Sequence, residues 1–295
     1  RYFENEFSSD FFAQIGLYTS FNVSDTASST TKEDDVLFKL NASWDVGEDT
    51  MLYGTMSEGY RRGGSNALPT AGFFAEDPAW LAYASDSNTN YELGVKGSQG
   101  STRYSAAVYY VDWQDVQVDT ATTNFAFFAA ANGESAATQG LELELEGFLT
   151  EALHYTAGYA YTDAKLSGDL VTPTGGVIAA DGARLPGSSE HTISLALDHS
   201  SELFGMLWIN RLDAYYQSST ENAVNSSARF NAELDGFSLY HLSTTLVGDE
   251  WDASVYIRNL TNEEGTTGLF SEAYMGTSAA QNYLGNGSKE FLVQP

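Results

Sequence analysis

Hydrophobic and acidic residues alternate without interruption in residues 140–147. Leucine occupies positions 141, 143 and 145, and glutamate occupies positions 142, 144 and 146. Successive side chains of a β-strand point to opposite faces, so this segment would present one leucine face and one carboxylate face. A helix would spread the same residues around its axis and bury at least one glutamate. The pattern therefore predicts a strand with an apolar medium on one side and water or polar protein on the other.

The same alternation recurs along the chain and predicts about eleven strands, joined by short and long connections in strict alternation. The first predicted strand covers roughly residues 1–12. Tight turns are predicted near residues 47–50, 98–100, 149–152, 199–202 and 248–250. Long loops are predicted at residues 13–34, 63–88, 119–134, 166–187, 218–236 and 263–288. Consecutive strands should then be antiparallel neighbours, with every tight turn at one end and every long loop at the other.

Short turns at one end and long loops at the other are typical of an outer-membrane β-barrel with strands of ten residues or more. A soluble sandwich would have strands of about 5–6 residues and no reason to gather its long loops at one end. The fold class predicted here is therefore all-β, a transmembrane antiparallel up-and-down β-barrel. On this interpretation the leucine faces point to lipid and the glutamates line the hydrated interior.

Aromatic residues gather beside the predicted tight turns, as expected where a bilayer meets water. They are Trp44, Tyr53, Tyr104, Phe148, Tyr155, Phe204 and Trp251. The alternative is that aromatic residues simply favour strands. As a set, their placement supports the barrel.

The net charge of the chain limits the classes of partner that it is expected to bind. The formal net charge is −27, from 13 Lys and Arg against 40 Asp and Glu, and there is no cysteine. Such acidity excludes nucleic acid as an expected partner, because phosphates would be repelled. No apolar run approaches the roughly 18 residues of a membrane helix. The chain opens on Arg1 within an alternating segment, so we predict that it comes from a longer sequence.

Five blocks of the sequence resemble the barrel of TonB-dependent outer-membrane receptors. They are residues 52–66 (LYGTMSEGYRRGGSN), 90–97 (NYELGVKG), 109–116 (YYVDWQDV), 135–147 (SAATQGLELELEG) and 256–264 (YIRNLTNEE). The blocks follow the family's order and extend over essentially the whole chain. The resemblance implies a barrel of about 22 strands with a plugged lumen, of which this chain would be roughly the C-terminal half. Residues 1–295 would form a partial barrel, without the plug domain and the closing C-terminal strand.

The resemblance also implies a function. The whole protein would lie in the cell outer membrane and import a scarce nutrient, most often a ferric siderophore or similar iron chelate. The TonB complex would supply energy through the plug, and outer-membrane lipid and lipopolysaccharide would surround the wall. We expect no enzyme activity and no cofactor. The alternatives are uptake of an oligosaccharide or cobalamin, a passive porin-type or adhesive barrel, an outer-membrane hydrolase, or a secreted β binding module.

Candidate ligand-binding residues lie where the loops leave the strands. Tyr60, Arg61 and Arg62 could meet an anionic chelate at the rim, and Trp80 and Phe127 could stack on it. The structural alternative for the arginine motif is a strand-to-loop bend in which Gly63 and Gly64 supply unusual backbone angles. It is the preferred interpretation, because the motif resembles one shared across receptors with different ligands. The loop aromatics could equally pack against one another. We predict that loops 63–88, 119–134 and 263–288 hold the binding determinants, because function in such proteins resides in loops on a rigid wall.

No other motif in the sequence indicates chemistry. The four histidines, His154, His191, His199 and His241, do not have the spacing of a metal site. Alternating glutamates at 142, 144 and 146 are too far apart for a tight metal site without other ligands, so they indicate a hydrated face. A nucleophile elbow and a phosphate loop are absent from the sequence.

Overall fold

The computed structural model describes residues 2–16, 22–72, 75–122, 124, 127–224, 231–270 and 291–292. In these residues the chain is built of β-strands, with one short 3-10 helix at Pro78–Trp80. None of the described helical segments has the length and apolar character needed to cross a bilayer. The fold is therefore all-β, as the alternating sequence predicts.

Two strands, β1 (Tyr2–Gly16) and β2 (Asn22–Val36), form a separate antiparallel hairpin with Tyr2 opposite Val36 and Gly16 opposite Asn22. The predicted loop at residues 13–34 is therefore wrong, because most of this segment is strand. Serine, threonine and aspartate are typical of loops, but threonine also favours strands. The segment has no apolar alternation to reveal the pairing, since both of its faces are largely polar.

Ten further strands form one antiparallel sheet in which each strand pairs with the next in sequence. They are β3 (Lys39–Asp45), β4 (Thr50–Arg61), β5 (Asp86–Gln99), β6 (Thr102–Gln114), β7 (Ser135–Thr150), β8 (Leu153–Leu166), β9 (His191–Leu203), β10 (Met206–Gln217), β11 (Phe237–Val247) and β12 (Asp252–Ile257). The predicted antiparallel order of consecutive strands is confirmed. Short and long connections alternate along the sheet, so the turns lie at one end and the loops at the other.

One predicted tight turn is displaced. Residues 199–202 are not a turn, because β9 continues to Leu203 and pairs with β10 up to Met206. The turn is formed instead by Phe204 and Gly205, whose φ angles are 56° and 79°. A two-residue hairpin turn of this type needs positive φ at both central residues, which glycine adopts without strain. The polar run that ends β9 has the composition of a turn but lacks that glycine.

From β3 to β10 the pairing register aligns one residue from each of the eight strands into rows across the sheet. One such row consists of Trp44, Leu52, Val95, Ala106, Leu143, Tyr159, Ile193 and Tyr216. The adjacent row, on the opposite face, consists of Asp45, Met51, Lys96, Ser105, Glu144, Gly158, Ser194 and Tyr215. We call these two sides the apolar face and the polar face.

The apolar face is exposed in this structure. Trp44, Leu52, Leu143 and Ile193 all show more than a third of their surface. Contiguous apolar surface extending across many strands is not found on monomeric soluble proteins, because burying it is so favourable. This face therefore requires an apolar environment such as lipid.

The buried clusters lie at the long-loop end, where loop residues pack together with the ends of sheet strands. One cluster consists of Val116, Val118, Ala136, Leu166, Leu170, Ala179 and Val224. The second consists of Leu68, Trp80, Ala129 and Ala131, and Ile178 packs against both clusters. The predicted loops contain short hairpins, Gly64–Ser65 with Ala82–Tyr83, Gln117–Ala121 with Phe128–Asn132, Leu170–Val171 with Val177–Ala179, and Thr220–Glu221 with Glu233–Leu234. Leu269–Phe270 pairs with Phe291–Leu292 in the same way. The long loops thus fold into a cap with its own core.

The close approach of Tyr53 to Gly94 predicts a stability effect. A Cβ atom on Gly94 would meet ring atoms of Tyr53 at 2.5 Å, whereas one on Gly47 would meet nothing within 4 Å. We expect Gly94→Ala to destabilise the sheet by about 1–3 kcal/mol, as overpacking generally does. Gly47→Ala should be close to neutral. Urea titration of the intact protein in lipid vesicles measures the stability of both variants. In a protein whose Tyr53 is replaced by alanine, Gly94→Ala should be tolerated. An equal cost in both backgrounds would contradict the ring contact as its cause.

Candidate functional site

Arg61 makes several polar and aromatic contacts at the junction of the sheet and the cap. Its guanidinium forms an ion pair with Asp86, which is 2% exposed, and Arg61 Nε donates to Asp86 Oδ2 at 3.0 Å. Its second terminal nitrogen donates to the carbonyl of Gln117 at 2.9 Å. The guanidinium carbon lies 5.4 Å from the ring centroid of Trp113, within cation–π range. These contacts support the structural interpretation of Arg61, although about half of its side chain remains accessible.

Asp86 and Gln117 connect three segments at this junction. The backbone N–H of Gln117 donates to Asp86 Oδ2 at 3.0 Å, and its side-chain amide donates to the carbonyls of Arg62 and Ala84. Asn132 donates to the carbonyls of Ala84 and Asp115 and accepts from the N–H of Ala84 at 2.7 Å. Together these bonds fasten two of the long loops to the ends of β4 and β5. Because buried polar groups are costly without partners, the network defines one arrangement of the rim.

Tyr60 contacts the hairpin of β1 and β2. Its hydroxyl donates to Glu33 Oε2 at 2.9 Å and accepts from Asn5 Nδ2 at 2.8 Å. Its ring stacks on Phe3 with centroids 4.1 Å apart. Alternation along β4 places Tyr60 on the apolar face and Arg61 on the polar face. The sequence motif therefore does not converge on one ligand position.

Arg62 follows the last residue of β4 and, like Arg61, is exposed. Its carbonyl accepts from Gln117, which fixes the backbone at this position. The structure thus pairs Arg61 with the buried Asp86, and both arginines retain exposed surface at the rim.

Trp80 and Phe127 meet in the same loop cluster. Trp80 is 1% exposed and packs with Leu68, Ala129 and Ala131, while Phe127 is half-buried against this cluster. This burial favours loop packing as the role of Trp80 and leaves part of Phe127 accessible. Phe73, Phe74 and Phe125 lie outside the described residues, as does most of the predicted binding loop 263–288.

Polar residues hold this loop cluster together. Glu76 is 3% exposed and its carboxylate accepts from Thr122 Oγ1 at 2.6 Å and from the N–H of Asn124 at 3.3 Å. Asn66 pairs with the backbone of Ala130 by accepting from its N–H and donating to its carbonyl, both at 2.8 Å. The cap is therefore organised by side chains that the sequence analysis did not single out.

A chain of contacts between acidic, basic and histidine side chains crosses five strands on the polar face near the tight turns. It joins Arg103 to Glu146 at 3.1 Å, Glu146 to His154 at 3.5 Å, His154 to Asp198 at 3.6 Å, Asp198 to Arg211 at 2.9 Å and Arg211 to Asp213 at 2.8 Å. All six side chains remain accessible to solvent, so each pair contributes little stability by itself. Their presence marks this face as hydrated. No group of three or more His, Asp or Glu side chains within the described ranges has metal-binding geometry.

Sequence comparison places the chain among known receptors. Residues 2–260 match the family described as TonB dependent receptor-like, beta-barrel. The pesticin receptor of Yersinia pestis is 30% identical over 114 residues, which is 39% of this chain and 16% of that protein.

Two solved structures are similar in fold. The ferric yersiniabactin uptake receptor FyuA from Yersinia pestis superposes with a TM-score of 0.74 at 17% identity, over 91% of this chain and 38% of that chain. The siderophore receptor PiuA from Acinetobacter baumannii gives 0.64 at 17% identity, over 89% and 36%. This chain therefore spans well under half the length of the proteins that it matches.

Proposed function

We propose that this chain, which belongs to the TonB-dependent receptor β-barrel family, supplies wall and ligand-facing loops to an outer-membrane importer of a ferric siderophore. Proteins of this family are receptors and transporters of the outer membrane. The proposal concerns the whole protein, in which further strands would close the barrel and a plug would connect it to TonB.

The observation that carries this proposal is the asymmetry of the ten-stranded sheet. One face is apolar from β3 to β10, the opposite face carries charged and hydroxyl side chains, and the loops at one end fold into a cap. A wall with lipid outside and water inside needs this arrangement, because neither face alone could contact both media. A cap with a defined core can present a shaped surface to a ligand, whereas a passive porin does not need one.

The iron chelate is proposed from the names of the similar proteins and from charge. The pesticin receptor, the yersiniabactin receptor and PiuA provide the analogy. On a chain of net charge −27, an anionic chelate finds few cations, and Arg62 is exposed at the rim. Phe127 is the aromatic candidate that retains accessible surface there. Tyr60, Arg61 and Trp80 would shape the site through the contacts described above.

Uptake by the intact receptor tests the proposal. Cells that produce the full-length protein, and lack other iron receptors, would be given yersiniabactin loaded with radioactive iron. We expect uptake that stops when TonB is deleted. Uptake that persists without TonB would support a passive barrel, and transport of cobalamin or an oligosaccharide but no ferric chelate would support the alternative ligands.

Replacement of Arg62 by alanine should weaken ferric chelate binding by about tenfold, because a hydrogen bond to a charged group contributes roughly 1.5–3 kcal/mol. The matched control is Arg103→Ala, which removes the same charge at the turn end of the polar face. Binding of the radioactive chelate to whole cells at equal receptor density measures both. Equal affinities for the two variants and the native protein would remove Arg62 from the site.

A further inference from the structure

Polar side chains interrupt the apolar face near the tight turns of β9, β10 and β11. His199, Asn210 and Thr244 stand side by side in one row, and Trp208 lies one row nearer the turns. The row on the other side is entirely apolar and consists of Leu197, Leu212, Leu242 and Ile257. Asn210 lies about 13 Å along the strand from Met206, where β10 begins, which is deeper than a side chain in the turn itself.

The polar residues form a directed chain of hydrogen bonds. Trp208 Nε1 donates to Thr244 Oγ1 at 2.6 Å, and Thr244 Oγ1 lies 2.8 Å from Asn210 Oδ1. An indole nitrogen can only donate, so the threonine hydroxyl accepts from it and donates onward. In the structure the Asn210 atom facing Thr244 is the carbonyl oxygen, so the amide nitrogen points away from this chain of hydrogen bonds.

Two donor groups on this surface are left without protein partners. Within the part of the chain that the structure describes, neither Asn210 Nδ2 nor the His199 ring has a hydrogen-bond partner. An amide nitrogen facing hydrocarbon without an acceptor is costly. A lipid that brings an acceptor oxygen to this depth would remove that cost.

The apolar row beside these donors forms one wall of a shallow groove of about 500 Å³. Leu153, Leu197, Leu212, Leu242, Val255 and Ile257 line it, together with His199, Asn210, Thr244, Ser243, Tyr256 and Arg211. The Arg211 side chain lies on the polar face, where it pairs with Asp198 and Asp213, so its charge is neutralised away from the groove. Apolar residues lie toward the middle of the sheet and polar residues toward the turns. A lipid of the leaflet at the turn end has the same polarity, with acyl chains toward the bilayer centre and head group toward the turns.

We infer that this groove binds a glycerophospholipid of the leaflet at the turn end, with the phosphodiester accepting from Asn210 and His199 and an acyl chain along the leucine row. The groove continues the apolar face, so lipid is its natural neighbour. The rows that form it contain no Lys, Arg, Asp or Glu. A zwitterionic phospholipid such as phosphatidylethanolamine fits an uncharged site, whereas polyanionic lipids are typically held by clustered basic residues.

Native mass spectrometry of the full-length receptor extracted in mild detergent tests the inference. The variant is Asn210→Leu with Thr244→Val, which keeps the wall apolar and should therefore still fold. The matched control is Asn41→Leu with Thr55→Val, since Thr55 Oγ1 donates to Asn41 Oδ1 at 2.9 Å on the polar face. We expect phosphatidylethanolamine retention to fall about tenfold in the variant and to be unchanged in the control. Equal retention in all three proteins, or retention of lipopolysaccharide instead of phospholipid, would overturn the inference.

A second measurement needs no variant. A phosphatidylethanolamine with a photoreactive acyl chain, built into vesicles with the native receptor, should label peptides of β9 to β12. Labelling that avoids these strands would overturn the inference. The inference rests on the proposed function, in which the apolar face contacts lipid. The uptake assay distinguishes failure of the lipid site from failure of the proposed function. Normal ferric chelate uptake by the Asn210→Leu, Thr244→Val variant with unchanged lipid retention would reject the lipid site alone.

Discussion

Replacement of Leu143 by arginine is expected to destabilise the protein in a bilayer by about 2–4 kcal/mol, the cost of a basic side chain at the lipid midplane of a β-barrel. Leu143 lies in the middle of β7, between Ala106 of β6 and Tyr159 of β8, and 38% of its surface is exposed on the apolar face. A guanidinium there has no carboxylate among these neighbours and cannot reach water without displacing lipid. The measurement is urea titration of the full-length receptor folded into lipid vesicles.

The adjacent position provides the control. Glu144→Arg changes the charge by more than Leu143→Arg does, but its side chain lies on the polar face beside Ser105. We expect it to cost less than about 1 kcal/mol, as exposed charge changes generally do. If arginine were tolerated equally at 143 and 144, the assignment of the two faces would be wrong.

Replacement of Asp86 by alanine is expected to make the loop at residues 115–134 open more often without unfolding the sheet. Asp86 is buried and receives both the Arg61 guanidinium and the Gln117 N–H. Removing a buried acceptor leaves its donors unsatisfied, and because Arg61 is half accessible we expect about 2 kcal/mol of local stability to be lost. That corresponds to roughly thirtyfold more frequent opening of the loop at residues 115–134.

Hydrogen exchange of the full-length receptor measures this opening directly. Amides of residues 115–134 should exchange faster in Asp86→Ala, while amides in β7 and β8 keep their protection. Asp86→Asn should lie between native and Asp86→Ala, since the amide oxygen remains an acceptor. Asp119→Ala is the control, because this aspartate lies in the same loop and is exposed. Unchanged exchange in Asp86→Ala would show that the rim is held by other contacts.

The sheet could be predicted from sequence because its two faces contact different media. Alternation at Leu141 to Glu146 follows directly from that requirement, and one slip of register would place carboxylates in lipid. The first strand of the β1 and β2 hairpin was predicted, but β2 could not be, because polar residues on both of its faces leave no period to detect. The turn at Phe204 and Gly205 was missed because backbone angle, and not polarity, decides where the chain reverses.

The candidate site could be predicted only in part. The motif at Tyr60, Arg61 and Arg62 could be selected from sequence because basic residues are rare in this chain. The structural role of Arg61, however, depends on Asp86 and Gln117, which lie far along the sequence. Nothing near Asp86 in the chain signals that it will be buried beneath an arginine. Glu76 with Thr122 and Asn66 with Ala130 are similar long-range pairs. Hydrogen bonds and ion pairs between distant loops leave no local pattern in the sequence, so only the structure reveals them.

In the full-length receptor, we expect the sheet to form a wall with lipid on its apolar face and water on its polar face. Spin labels on single cysteines introduced at positions 141 to 146 of the receptor in vesicles measure this arrangement, and these 295 residues contain no cysteine to interfere. Labels at 141, 143 and 145 should be reached by oxygen dissolved in lipid, and labels at 142, 144 and 146 by a water-soluble nickel complex. Accessibility that does not alternate, or that alternates with the glutamate positions in lipid, would contradict this arrangement.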